Sequence, residues 1–435
     1  MYISLRDRPG AAASPVSAPA QAPTQAPAGA PARRQRVARV VVTLGVVSLL
    51  TDISSESVNA VLPLYLTAAV GLSPMAYGFV DGLYQGVSAL VRVAAGWAAD
   101  RTGRPQPVAL AGYGLSLVAR VLLLGAHGFG SISAVVSVDR FGKGIRTAPR
   151  DAMITASSPP ARLGRAFGVH RTLDTVGATI GPLVAFAILW QIPDGFHTIL
   201  VLSLGFALLG VTVLALFVPF RTGAAAAPRP VRSPGAVRRA PARRRWRALA
   251  TPGLVRTVAV TATLGLLTVG DGFVYLALLD AGRFAARWFP VLYVGTNLAY
   301  LSLAVPLGRL ADRVGRIRVL VLGHLPLAGA YLCAATGSGA LPATISALLL
   351  LGVFYAATDG VLPAVAGRLV PERLRTSGIA TAQTAVAIAR LLASTGFGLL
   401  WYAVGPRSAM LGVCLALLAA VPVGLTVLRR TEPAA

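Results

Sequence analysis

Charge is scarce in this chain, and most of it has one sign. Charged residues make up 13% of 435, with 40 basic residues against 15 acidic ones. Lysine is almost missing: Lys143 is the single one. Cysteine is nearly absent too, and Cys333 and Cys414 both lie in apolar segments, so they read as small buried residues rather than as a disulfide or a metal site. There is no Walker phosphate loop, no Gly-x-Ser-x-Gly, no His-Glu-x-x-His and no paired-Cys motif, and "GFGSIS" has too few glycines for a dinucleotide loop. These absences exclude ATP hydrolysis and the familiar intramembrane enzymes, and they leave no cofactor or metal to expect.

Apolar residues fill the space. They are 55% of the chain, and the mean hydropathy is +0.70, too high for a soluble domain of this size. Runs of the length that crosses a hydrocarbon core of about 30 Å recur near 38–69, 107–127, 198–219, 254–279, 318–336 and 406–428. Arginine clusters between alternate runs: Arg33–Arg39, Arg101 and Arg104, Arg162 and Arg165, Arg221–Arg247, Arg313–Arg318, Arg368–Arg375, and Arg429 with Arg430. The intervening connections near 70–75, 126–131 and 337–342 carry no Lys or Arg, and those near 280–288 and 404–408 carry only Arg283, Arg287 and Arg407. This is the alternation of the positive-inside rule. It predicts twelve spans in the plasma (inner) membrane with both termini cytoplasmic, and it accounts for the +25 net charge without nucleic acid.

Residues 1–35, rich in Ala, Pro and Gly, read as a disordered cytoplasmic tail with no signal-peptide core. Residues 221–250 hold nine Arg and no acid, the composition of a flexible cytoplasmic linker drawn to anionic lipid. Two bundles are thus predicted, 36–220 and 251–428, followed by a short cytoplasmic tail, 429–435. The same charged nonapeptide stands in both: "GWAADRTGR" at 96–104 and "GRLADRVGR" at 308–316, 212 residues apart. A motif repeated either side of a linker marks a duplicated bundle, six helices in each half.

On this repeat the sequence resembles the major facilitator superfamily, and within it bacterial exporters of drugs and small molecules. The shared loop pattern is Gly-x-x-x-Asp-Arg-x-Gly-Arg between the second and third helices of each half, and both copies match. The resemblance covers about residues 36–428. It implies an all-α membrane fold of two pseudo-symmetric six-helix bundles. It also implies that Gly96, Asp100, Arg101, Gly103, Arg104, Gly308, Asp312, Arg313, Gly315 and Arg316 latch the halves together in one state and release them in the other.

Ionisable groups inside spans are costly and mark a pathway. In the first span Asp52, Glu56, Asn59 and Pro63 recur at helical intervals with Ser55 beside them, and the two acids one turn apart suit proton loading or capture of a cationic solute. Asp81, Gln85, Ser88 and Arg92 repeat this spacing in the second span. The fourth, "VDRFGKGIRTAPRDA", is the least apolar, yet the repeat requires a span there. Asp139, Lys143, Arg146 and Arg150 fall on one face, and Arg140, Gly144, Thr147 and Asp151 on the next. Arg140 with Gly144 matches the family's Arg-x-x-x-Gly pattern, whose arginine is associated with proton coupling. Arg146 stands where the family has a small residue, which allows an anion grip instead.

In the fifth span Gly168, Gly177, Gly181 and Pro182 follow the family's Gly-x8-Gly-x3-Gly-Pro signature of proton-driven exporters. Its final Gly-Gly is replaced by Ala185 and Phe186. His170 and Asp174 share that face and form a candidate relay pair. The second half offers Asp271, a rough symmetry mate of Glu56, then Asp359 with Tyr355, and Gln383 with Arg390; His324 reads as structural. The resulting expectation is a monomeric secondary transporter, an antiporter coupling protons to efflux of a lipophilic or cationic compound. An anionic solute (organic acid, siderophore or metal chelate) and a non-transporting sensor or scaffold are the alternatives.

Overall fold

The computed structural model describes residues 38–102, 105–159, 163–218, 250–282, 284–336, 341–371 and 374–429, the side chains of residues 92–102 and of Thr376 aside. The tail 1–35, the linker up to residue 249, Gly103, Arg104 and Arg162 lie outside the described residues.

Among the described residues, ten helical segments are long and apolar enough to cross a membrane. These are α1 (Arg39–Asn59, continued by Leu62–Leu64 and a π-helical turn, Tyr65–Ala69), α3 (Pro105–Leu124), α5 (Leu163–Gln191) and α6 (Phe196–Phe217) in the first half. The second half holds α7 (Pro252–Leu266 and Asp271–Gly282), α8 (Phe289–Val314), α9 (Arg316–Leu322 and His324–Thr336), α10 (Leu341–Thr358 and Val361–Arg368), α11 (Arg375–Val404) and α12 (Pro406–Arg429). Two further helices of the same length, α2 (Pro74–Thr102) and α4 (Phe129–Ala156), complete a set of twelve. Hydropathy alone misses both, because each carries several charged residues.

Helix pairing reveals the duplication. α1 packs on α5 and α6, α2 on α4, α3 on α4 and α6. Adding six to each number gives α7 on α11 and α12, α8 on α10, and α9 on α10 and α12, and all of these pairs form. The halves meet along α2–α11 and α5–α8, which the same operation exchanges. The exterior is apolar: Leu208, Leu216 and Phe217 on α6 and Leu415 and Val423 on α12 are more than half exposed. A girdle of this kind has a favourable surrounding only in hydrocarbon.

Among the described residues, the halves meet closely at the end bearing the turns at 70–73, 192–195 and 284–288. A Cβ on Gly82 of α2 would sit 2.7 Å from the Leu391 carbonyl of α11. Phe186 and Trp190 of α5 hold Trp288 at centroid distances of 5.3 and 5.7 Å. Asp81 of α2 accepts a hydrogen bond from Ser394 Oγ of α11 and lies against Gly270.

The glycines of α5 behave as their spacing implies, with one exception. A Cβ on Gly181 would meet Ser57 N at 2.8 Å, and one on Gly177 would meet Leu49 Cα at 2.9 Å, both on the backbone of α1. Gly168 faces open space and supports no close approach. Gly181→Leu is therefore expected to separate α1 from α5, at a cost of about 3 kcal/mol, the upper end for overpacking. A thermal melt in detergent checks this; an unshifted melting temperature would contradict the packing.

Candidate functional site

The first half concentrates its ions where α1, α4 and α5 converge. Asp52 of α1 and Asp174 of α5 bring their carboxyls next to each other. Two adjacent carboxylates repel, so the pair favours holding one proton between them. Bases surround it. Arg150 Nη1 lies 3.7 Å from Asp174, and Arg171 Nη1 donates to it at 3.2 Å. Lys143 and Arg146 reach Asp52 electrostatically. Glu56, one turn along α1, accepts from Asn59 Nδ2 at 3.0 Å and faces Lys143 Nζ at 4.0 Å.

His170 is buried beside this group, but its bond is to Ser48 Oγ, 3.0 Å from Nε2, not to Asp174. Arg150 Nη1 donates to the same Ser48 oxygen at 3.3 Å. His170 and Asp174 are thus linked only through Ser48 and Arg150, a longer route than the direct pair their spacing suggests.

Below this group lies a second network, buried between α2, α3 and α4. Asp139 accepts from Arg140 and, at 3.4 Å, from Arg120 of α3. Arg140 is 2% exposed and also stacks on Tyr84, 3.8 Å from guanidinium carbon to ring centre. Arg146 packs over Tyr113 at 4.6 Å. The contact of Gly144 with α2 lets this network form: a Cβ there would lie 2.9 Å from the Ser88 carbonyl.

The second half holds a cavity of about 240 Å³ against α2. It lies where three spans are interrupted. Thr268 sits in the gap of α7, His324 beside the turn at Gly323 of α9, and Asp359 at the turn that divides α10. Gln85 and Ser88 of α2 and Gln383 and Arg390 of α11 close it. His324 Nδ1 donates to the Leu320 carbonyl at 3.0 Å, so the neutral ring leaves Nε2 as an acceptor. Asp271 opens the second piece of α7 and accepts from Tyr355 Oη at 2.8 and 2.9 Å.

The structure brings Asp52, Glu56, Lys143, Arg146 and Asp174 together in one half, and Asp359 and Arg390 in the other. Asp81 and Asp271 belong to the seam between them. Asp100 and Arg101 lie on α2 with side chains not described, as does Gly96, while Gly103 and Arg104 are outside the described residues. In the second nonapeptide Gly315 adopts φ +108, a conformation suited to glycine, and turns α8 into α9. Asp312 there accepts from Arg316 Nε at 2.9 Å, within its own loop.

Sequence reasoning did not assign roles to Ser48, Tyr84, Tyr113 or Ser394. Serine and tyrosine carry no charge to betray them, so only spatial proximity reveals their part. His324, set aside as structural, keeps its backbone bond and also lines the cavity.

Two pseudo-symmetric six-helix bundles, with ionised side chains turned inward and apolar ones outward, define a membrane transporter. The Major Facilitator Superfamily model matches residues 44–286 and 279–435, and the chain belongs to that family. An uncharacterized MFS-type transporter of Methanocaldococcus jannaschii is 27% identical over 389 residues, 84% of this chain and 89% of the relative. An uncharacterized protein of Mycobacterium tuberculosis is 29% identical over 335 residues, 76% and 74% of the two chains. Among solved structures, the nucleoside transporter NupG has a TM-score of 0.72 at 12% identity, covering 89% of this chain and 99% of its own. The peptide transporter POT in complex with sulfate has a TM-score of 0.73 at 13% identity, covering 91% and 95%.

Proposed function

We propose that this chain is a proton-coupled secondary transporter that works by alternating access and exports a small compound. The observation that carries the reading is the carboxyl contact between Asp52 and Asp174. It links α1 to α5, two facing carboxyls are suited to sharing a proton, and bases that can shift that proton's balance surround them. When the halves rock, α5 moves against α8 at the seam, so the pair sits on an element whose position changes with the state. Residues 36–220 and 251–428 act as the two moving bodies in the plasma membrane of a monomer, with 221–250 as their cytoplasmic linker. The nonapeptides latch the cytoplasmic ends.

Acids on α1 favour a cationic or lipophilic substrate. The anionic reading has an observation of its own: Lys143 is held by Glu56 only at 4.0 Å, and Arg146 by an aromatic face. Both are available to an acid. Purified protein in liposomes with a trapped pH dye separates the two readings, with tetraphenylphosphonium, benzoate and ferric citrate as probes. Export of cations predicts proton flux with the first. Flux only with the other two moves the binding site to α4. Lys143→Gln would then weaken half-saturation about 10- to 100-fold, the equivalent of one charge-assisted hydrogen bond.

A further inference from the structure

The cavity at the interrupted helices of the second half contains two opposite charges that do not pair. Arg390 makes no hydrogen bond or ion pair to any described residue, and its buried Nε has no partner. Its guanidinium carbon lies 5.9 Å from the centre of the Phe354 ring. Asp359 faces Arg390 electrostatically, but its exposed carboxyl accepts no hydrogen bond from a described residue. Arg171 also reaches Asp359, but it is already bonded to Asp174. Asp271, the other acid near Arg390, shares the single Tyr355 hydroxyl proton between its two oxygens and forms no ion pair with Arg390 among the described residues. An arginine within a transmembrane bundle that has acids in electrostatic reach but no direct ion pair is costly, and a bound anion relieves part of that cost.

The backbone deepens the separation of charge. Asp359 follows the last turn of the first α10 segment, Leu341–Thr358, and Thr268 follows the last turn of the first α7 segment, Pro252–Leu266. The C-terminus of the first α10 segment places partial negative charge beside Asp359, which suits a cationic group there. Arg390 and Gln383, both on α11, present donors to the same cavity. Size narrows the choice. At about 240 Å³ the cavity falls below the roughly 300–1,000 Å³ of sites for drug-sized ligands.

We propose that this cavity is a substrate subsite for a small amphoteric compound, one whose anionic end is held by Arg390 and Gln383 and whose amine end is held by Asp359. The proposal rests on the transport reading above and deepens it. A substrate with both charges accounts for acids and bases lining one pathway, where a purely cationic or purely anionic solute leaves one set idle. Gln85, Ser88 and the Nε2 of His324 supply hydrogen bonds between the two ends.

The test uses the full-length protein with 4-aminobutanoate, butylamine and butyrate as probes, read by thermal stabilisation in detergent and by counterflow in liposomes. The amphoteric probe is expected to stabilise the protein and the two single-charge probes at least tenfold less effectively. Arg390→Gln and Asp359→Asn each weaken the 4-aminobutanoate response about 10- to 100-fold, and Arg390→Lys retains part of it. The melting temperature of each unliganded variant shows whether it folds. Equal stabilisation by butylamine or butyrate, no stabilisation by any of the three, or a 4-aminobutanoate response that survives both neutralisations, would overturn the proposal. Stabilisation that is lost in the two variants but unaccompanied by counterflow keeps the subsite and contradicts transport instead.

Discussion

Asp52→Asn is expected to reduce proton-driven accumulation of substrate to the passive level while exchange of substrate for substrate continues. The amide has nearly the volume and polarity of the acid, so the α1–α5 contact survives. What it cannot do is gain or lose a proton. In the native chain the Asp52 and Asp174 carboxyls face each other, and like-charge repulsion favours one shared proton. With asparagine present, Asp174 accepts from the amide and stays ionised beside Arg150 and Arg171. The proton then has no site to occupy, and only the solute can drive the halves between states. Asp174→Asn should uncouple in the same way, because a shared proton needs both partners. Glu56→Gln is expected to do less, since Glu56 is already tied to Asn59 at 3.0 Å. The check is parallel uptake and counterflow on one liposome preparation; equal loss of both activities would mean that Asp52 serves structure rather than coupling.

The second large effect concerns stability. Asp139→Leu leaves Arg120 and Arg140 facing each other with no carboxylate between them, in a site where all three are at least nine-tenths buried. Removing one partner of a buried ionic group costs about 3–5 kcal/mol, because the charge left behind is unpaired. Two are left here, so the variant should melt well below the native protein or fail to accumulate in the membrane. Replacing Arg120 by Leu as well removes one orphan and should recover part of the loss, since Arg140 still has the Tyr84 ring at 3.8 Å. A melt of the single and double variants measures this. A double variant less stable than Asp139→Leu would show that Arg120 has a separate partner.

Much of this was written in the sequence. The Arg alternation between apolar runs and the repeated nonapeptide implied twelve spans in two halves, and the helices fall within a few residues of the runs, such as 406–428 against Pro406–Arg429. α4 was recovered from the repeat although six ionisable residues in it defeat a hydropathy scan. The polar faces were legible too, because a period of 3.6 places Asp52 with Glu56 and Lys143 with Arg146. Partners were not. Nothing in the order of residues says that Asp52 meets Asp174 in place of His170, or that Asp81 bonds Ser394 in the opposite half. Such contacts depend on rotation and depth of packed helices, which one chain's periodicity leaves open. The interruptions of α9 and α10 at Gly323 and Gly360 were equally hidden, since a glycine in an apolar run reads as an ordinary packing residue.

The most direct test of proton-coupled transport by this chain is the substrate-evoked proton flux of purified protein in liposomes, with an imposed gradient and a trapped pH dye, using 4-aminobutanoate and tetraphenylphosphonium as probes. The account predicts that at least one probe collapses the gradient several-fold faster than leak, and that Asp52→Asn removes the difference. Counterflow of a probe with no accompanying proton movement in the native protein would contradict it and leave a uniporter.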